Sequence, residues 1–463
     1  MSTAKKSSAR DKPQKAPRSA APSASASKES DRTRRRAALP PAPSNPASRE
    51  IATAPGAVVS RRAADRLRSG HVWVYASDIE SLTTSSRSSA TNQPALLPVA
   101  DYRGLLLGTA LYSPASQIAL RMVSSDAIDF SQWLAQLEHR LRAAIARRKP
   151  FLSDDTNACR LCFSEADEIP GLIADKYGDL FILQLLIRGL DSPSVREACV
   201  GVLRDEFAPA SILERPDPRI RELEGLSAPG LAPLWSATPG SPLTSTVFHL
   251  NGLEFQYDAN AGQKTGAFLD QRANYAAAEE WARRLGANGR ALDVCTYQGG
   301  FALHLARVCR QVTGLDASRA SLEVAERNLA ANRARLVAEV DWIEADAFAL
   351  LREWSEARES FDTIVLDPPA FAKTRRAVEG ALRGYKELNL RALKMLRPGG
   401  LLITCSCSHH VGWSDLESAV AAAAADAHRR VRLLERHGAA PDHPVVLNIP
   451  ETEYLKCMVL QAD

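Results

Sequence analysis

The chain has 463 residues, 45% of them hydrophobic, which is enough for roughly two to four domains with cores of their own. Its net charge of +4 hides an asymmetry: residues 1–50 hold 12 Lys/Arg against 4 Asp/Glu, and the other 413 residues hold 46 against 50, so nucleic-acid binding cannot be argued from bulk charge. Eight scattered cysteines do not form a disulfide framework, and no apolar run approaches the roughly 18 residues of a membrane helix or the core of a secretory signal; the expectation is a cytoplasmic protein with no membrane and no metal.

Residues 1–50 are Ser, Ala, Pro, Lys and Arg without aromatics, too poor in apolar surface to offset ordering entropy, and read as a disordered basic tail; a transit peptide is the alternative. From residue 51 to about 130, short apolar runs such as "HVWVYASDI", "LLLGTALY" and "IALRMV" alternate with turn-rich pieces and predict a small β-rich domain, with "SSRSSATNQP" as a long loop. "SQWLAQLEHRLRAAIARRK" follows, placing Trp133, Leu134, Leu137, Leu141 and Ile145 near helical spacing. It predicts a linking helix whose arginines form a solvated face, with RNA contact as the alternative. It opens a central α/β domain reaching to about 245. There Cys159 and Cys162 form a C-x-x-C without a second ligand pair, which favours two strand cysteines over zinc.

Residues 246–463 alternate strand and helix. Strands are expected at "RALDVCT", "QVTGLDA", "AEVDWIEAD", "DTIVLDPP" and "LLITCSCS", the pattern of an open, Rossmann-like parallel sheet whose ligands bind beyond the strands' carboxyl ends. The first end leads into Gly299 and Gly300, a turn that admits close backbone approach but lacks a phosphate-binding G-x-G-x-x-G. Asp316 ends the second strand, placed to accept hydrogen bonds from ribose hydroxyls. Asp346 ends the third, as a helix N-cap and a partner for an adenine amino group. A nucleoside site with no phosphate grip suits S-adenosylmethionine better than NAD.

Asp367 ends the fourth strand ahead of two prolines, which hold it rigidly enough to orient a planar base. In the fifth, Leu401, Ile403, Cys405 and Cys407 share a face, with Cys407 nearest the active edge. Carbon 5 of a pyrimidine becomes nucleophilic once something adds to carbon 6, and a thiolate does this best, so Cys407 beside a rigid acid suggests carbon methylation, with Cys405 as packing.

With "LYSPASQIALRMV", "IPGLIADKYGDLFILQLL", "GQKTGAFLDQR", "TYQGGFALHLA", "VLDPPAFAK", "RGYKELN" and "TCSCS", the chain resembles the bacterial class I S-adenosylmethionine-dependent methyltransferases that modify carbon 5 of a cytosine in large-subunit ribosomal RNA. The resemblance implies an N-terminal PUA domain, a central α/β domain and a Rossmann-like catalytic domain. It implies cofactor contacts around Asp293 and Gly299, ribose at Asp316, adenine near Asp346, base orientation by Asp367 and the nucleophile at Cys407. "FLDQR", with Gln271 and Arg272, would cover the methionine end of the cofactor. The long basic tail, the loop insertion in the 80s and "SHHV" after the cysteine depart from the family pattern; His409 and His410 either touch RNA or sit at a helix entry, and the helix entry is the expectation. Two rivals stay open, methylation of an exocyclic amine and a non-catalytic RNA-binding assembly protein. The oligomeric state, a homodimer included, is not readable.

Overall fold

The computed structural model of the protein describes residues 56–83, 96–260 and 267–463. The basic tail, most of the loop in the 80s and the first half of "GQKTGAFLDQR" lie outside these residues.

The N-terminal sheet has six strands in the order Trp73–Tyr75, Ile118–Ser124, Leu106–Tyr112, Leu96–Asp101, Gly56–Val59 and Ile79–Thr83. Period-two alternation buries Ala57 and Val59 on one face. The helix Arg61–Arg68 was not expected. Four arginines leave it only Ala63 and Ala64 to bury, and Ser60 caps it by accepting from the Ala63 amide at 3.3 Å.

The linking helix spans Phe130–Arg148 and opens on a capping box between Asp129 and Gln132. Trp133, Leu137, Leu141 and Ile145 are buried as the spacing predicts. Its arginines are a solvated face only in part: Arg142 and Arg147 stay partly exposed while pairing with acids, and Arg148 is buried. Arg142 reaches Asp205 at 2.6 Å, Arg147 reaches Asp167 at 2.7 Å, and Arg148, 1% exposed, grips both oxygens of Asp167 at 2.5 and 2.7 Å. Asp167, in the turn after Ala158–Phe163, and Asp205, near the end of the helix Pro193–Glu206, thus ion-pair this face to its neighbours.

That sheet has five strands, ending at its edge in Ala158–Phe163, where Cys159 and Cys162 are fully buried and burial pushes both thiols up. Among the described residues no group of His, Cys, Asp and Glu is placed to hold a metal, and no helix is long and apolar enough to cross a membrane.

After a hairpin of Ser245–Leu250 and Leu253–Asp258 comes the third sheet. Its strands are β1 (Arg290–Val294), β2 (Gln311–Asp316), β3 (Glu339–Glu344), β4 (Phe361–Leu366), β5 (Leu396–Ser406), β6 (Val431–His437) and β7 (Lys456–Ala462). They lie in the order β3-β2-β1-β4-β5-β7-β6. The first five are parallel, as expected from the alternation; β7 runs antiparallel between β5 and β6. Helices α1 (Arg272–Arg284), α2 (Gly300–Leu305), α3 (Arg319–Asn332), α4 (Ala347–Ala357), α5 (Val378–Met395) and α6 (Trp413–Asp426) flank it. Continuous apolar runs are what a sheet covered on both faces requires.

Asp442, fully buried after β6, ties the layers together. It accepts from Arg272 at 3.0 Å and from the Arg160 amide at 2.9 Å, and its backbone oxygen accepts from Arg148 at 3.2 Å. Removing one partner of a buried ion pair leaves the other charge uncompensated. Asp442→Ala is therefore expected to destabilise the protein by about 3–5 kcal/mol, measured as a drop in the denaturant midpoint.

Candidate active site

The carboxyl ends of β1, β2, β4 and β5 open on one cleft of about 920 Å³, and the residue after β3 reaches the same wall. Topology alone brings them there, because parallel strands present all their carboxyl ends at one edge.

At the end of β1, Asp293 is fully buried. One carboxylate oxygen accepts from the Thr296 hydroxyl at 2.5 Å and the Ala302 amide at 2.9 Å, clamping the loop to the first turn of α2. Its other oxygen has no protein partner, and burial pushes the acid up to about 7. It stands beneath the loop and not on the cleft wall. The loop itself is strained, with Cys295 at φ 62° and Tyr297 at φ 53°. Gly299 has φ 85°, and a Cβ there would meet Trp342 at 2.9 Å; a Cβ on Gly300 would meet the Tyr275 ring at 2.4 Å. Gly300 lines the cleft and Gly299 does not, so Gly299 serves turn geometry and packing.

Asp316 does line the cleft. Its two oxygens accept from the backbone amides of Tyr297 at 2.9 Å and Ser318 at 2.8 Å, which fixes the carboxylate while leaving acceptor capacity on each oxygen. Capping of α3 falls to Ser318, whose hydroxyl accepts from the Ser321 amide. Asp346 combines both expected features: one oxygen caps α4 through the Ala349 amide at 2.9 Å, and the residue is exposed on the cleft wall beside Phe348.

Asp367 and Pro368 form the opposite wall. Gln271 donates to the Asp367 carboxyl at 2.9 Å and is itself held by Asn274 at 2.5 Å. Burial, then the nearby Asp270 and Asp293 carboxylates, push Asp367 up to about 8. Arg272 is a correction. Successive residues entering a helix diverge by about 100°, so while Gln271 faces the cleft, Arg272 turns away, pairs with Asp442 and donates to the Ala158 carbonyl at 3.3 Å.

Cys407 follows the last residue of β5 and lines the cleft, with its sulfur 4.0 Å from the Pro368 carbonyl oxygen. The flanking serines anchor it. Ser406 donates to the Tyr385 hydroxyl at 2.8 Å, and Ser408 shares a 3.0 Å hydrogen bond with the same hydroxyl and accepts from the Ala372 amide at 3.2 Å. Cys405, two residues earlier, is fully buried against Cys457 of β7, and its thiol is pushed well up by burial. A second thiol, Cys295, also reaches the cleft; burial and then Asp316, Asp367, Asp293 and Asp346 push it up, disfavouring its thiolate.

Phe268, the first residue of "FLDQR", lines the cleft, and among the lining residues not singled out from the sequence are Tyr275, Tyr297 and Tyr454. Phe268 and Tyr297 meet edge-on at 4.9 Å, and the Tyr454 hydroxyl donates to Asp270 at 2.5 Å. Tyr454 precedes β7, whose placement beside β5 carries no local sequence signal. His409 is a second correction. The helix entry lies at Gly412, and His409 lines the cleft with its ring 5.8 Å from Tyr454, its imidazole held low by burial, Lys456 and His410.

The cleft fits S-adenosylmethionine on its own features: two carboxylates at adjacent strand ends for hydroxyl and amino groups, an apolar wall at Phe348 and Ala317, and a glycine turn over a buried acid with an unused oxygen. Residues 225–456 match the model of the S-adenosylmethionine-dependent methyltransferase family, and residues 57–125 match that of the PUA-like domain. The ribosomal RNA large subunit methyltransferase I of Klebsiella pneumoniae is 36% identical over 392 residues, 83% of this chain and 93% of that protein. The protein of the same name from Pseudoalteromonas translucida is 35% identical, covering 85% and 96%. Among solved structures, a SAM-dependent methyltransferase from Streptococcus mutans superposes with a TM-score of 0.71 at 19% identity, covering 88% of this chain and all of that one, which establishes the shared fold. A match across the PUA-like and catalytic segments together places the chain in the family of the ribosomal RNA large subunit methyltransferase I proteins, S-adenosylmethionine-dependent enzymes.

Proposed function

We propose that the protein methylates carbon 5 of a cytosine in large-subunit ribosomal RNA, with Cys407 as nucleophile and Asp367 as the acid that orients the ring. The observation that carries this reading is the pairing of the two on one wall: Cys407, pinned by two serines, beside an acid that burial keeps protonated at neutral pH. Exocyclic amine methylation needs no such thiol. The reading also takes residues 51–130 as the RNA-binding domain, 131–245 as the linker helix and central domain, and 246–463 as the catalytic domain.

The target cytosine must leave its stack, since carbon 5 is inaccessible within structured RNA. Asp367, held by Gln271, donates its proton to ring nitrogen N3 while the Cys407 sulfur bonds to carbon 6; the displaced π electrons make carbon 5 nucleophilic. Bound S-adenosylmethionine would supply an electrophilic methyl group to carbon 5, with Asp316 placed to hold its ribose, Asp346 its adenine, and Asp293 clamping the glycine-turn loop. Loss of the carbon 5 proton then returns the electron pair to the ring as the carbon–sulfur bond breaks to release Cys407, and N3 gives its proton back to Asp367. His409, a neutral imidazole on the same wall, is suited to receive the carbon 5 proton.

Asp316→Ala tests the cofactor half. Loss of charge-assisted hydrogen bonds should weaken S-adenosylmethionine binding by about 1.5–3 kcal/mol. Calorimetry should show this with RNA affinity nearly unchanged, and unchanged cofactor affinity in a folded variant would refute the assignment. Mapping modified bases in ribosomal RNA with and without the gene tests the target.

A further inference from the structure

Lys456, the first residue of β7, is 3% exposed, yet no carboxylate among the described residues pairs with it. Its ammonium donates to two backbone carbonyls only, Ser408 at 3.2 Å and Tyr454 at 3.1 Å. A buried cation is costly unless an anion compensates it, and carbonyl dipoles do so incompletely. Lys456 lies opposite Ser406 in the antiparallel ladder of β5 and β7, so its ammonium sits behind the short loop that carries Cys407. The serine it holds is one of the two that anchor Cys407 to α5.

From these contacts we infer that Lys456 is a positioning residue that fixes the Cys407 loop and stabilises the Cys407 thiolate, so that the nucleophile is ionised before the base arrives. The inference rests on the reading of Cys407 as the nucleophile. In the resting enzyme the Sγ proton passes to water in the open cleft, and the remaining charge is balanced by the ammonium. The surroundings agree. Burial holds the Lys456 ammonium low, while the charges of Glu453, Cys407 and Asp415 favour it; an anionic sulfur at Cys407 is thus reciprocally stabilised by Lys456. From α5 the group facing Cys407 is Tyr385, from the β4 loop Asp367, and from its own loop His409, which Lys456 helps to keep neutral. Only Lys456 among these supplies a fixed positive charge.

The test needs neither RNA nor cofactor. The full-length protein is alkylated with iodoacetamide across a pH series, and modification of Cys407 is followed by mass spectrometry. The wild-type midpoint should fall at least about one unit below the ordinary thiol value near 8.5. K456Q should raise the midpoint by about one unit and slow alkylation at pH 7 about tenfold, whereas K456R should keep the lowered midpoint. An ordinary midpoint in the wild type overturns the inference, as does a folded K456Q with the wild-type midpoint. Should K456Q not fold, the wild-type and K456R midpoints decide, and an ordinary value in either overturns it. A lowered midpoint together with normal methyl transfer by Cys407→Ala would leave Lys456's effect standing and remove the nucleophile reading instead.

Discussion

Cys407→Ala is expected to abolish methyl transfer, while Cys405→Ala and Cys295→Ala retain it. The three thiols each lie within one residue of a strand's carboxyl end in one sheet, yet differ in what surrounds them. Cys405 is sealed in the core, Cys295 sits among four carboxylates that oppose its ionisation, and Cys407 opens on the cleft beside Asp367. RNA carrying 5-fluorocytosine at the target should trap a covalent adduct with the wild type, because fluorine cannot leave as a proton and elimination stalls after methylation. The adduct should vanish with Cys407→Ala and persist with Cys405→Ala, whose cost is a packing loss of about 1 kcal/mol. Near-normal product from Cys407→Ala would sink the nucleophile assignment and favour attack by an exocyclic amine. An adduct that disappeared with Cys295→Ala would move the chemistry across the cleft to the glycine turn.

Asp367→Asn should lower kcat about 10²–10⁴-fold, because an amide can hold the ring edge but cannot deliver a proton to N3. The wild-type rate should fall as pH rises through about 8, where the acid ionises, and the variant's residual rate should lack that limb. The substitution should act on stability in the opposite sense to its effect on activity. The folded value of about 8 lies above the ordinary 3.8, so between these limits only the unfolded chain releases this proton, and stability is lost as pH rises from about 4 towards 8. Asp367→Asn removes that loss. The two proteins should melt alike near pH 4, with the variant the more stable at pH 8. A variant that lost activity and also fell further in melting temperature towards pH 8 would show that Asp367 is held ionised, and that it acts as an acceptor only.

The sequence by itself determined the parallel sheet and its chemistry-bearing edge. Five apolar runs, each ending in Asp, Asp-Pro-Pro or Cys, are local patterns, and a parallel sheet places every such end on one side whatever the details of packing. That is why Asp316, Asp346, Asp367 and Cys407 were legible before any coordinates. Tertiary structure alone decided which neighbour of each faces the cleft. Arg272 turns from the site because Asp442, 170 residues later, supplies its partner, and the linking helix hides Arg148 because Asp167 awaits it. Lys456 and Tyr454 come to the loop of Cys407 and His409 because β7 returns antiparallel beside β5. Spacing along the chain reports which residues share a strand or helix face. Burial, ion pairing and the field around a thiol depend on segments that meet only when the sheets close, and no local pattern encodes them.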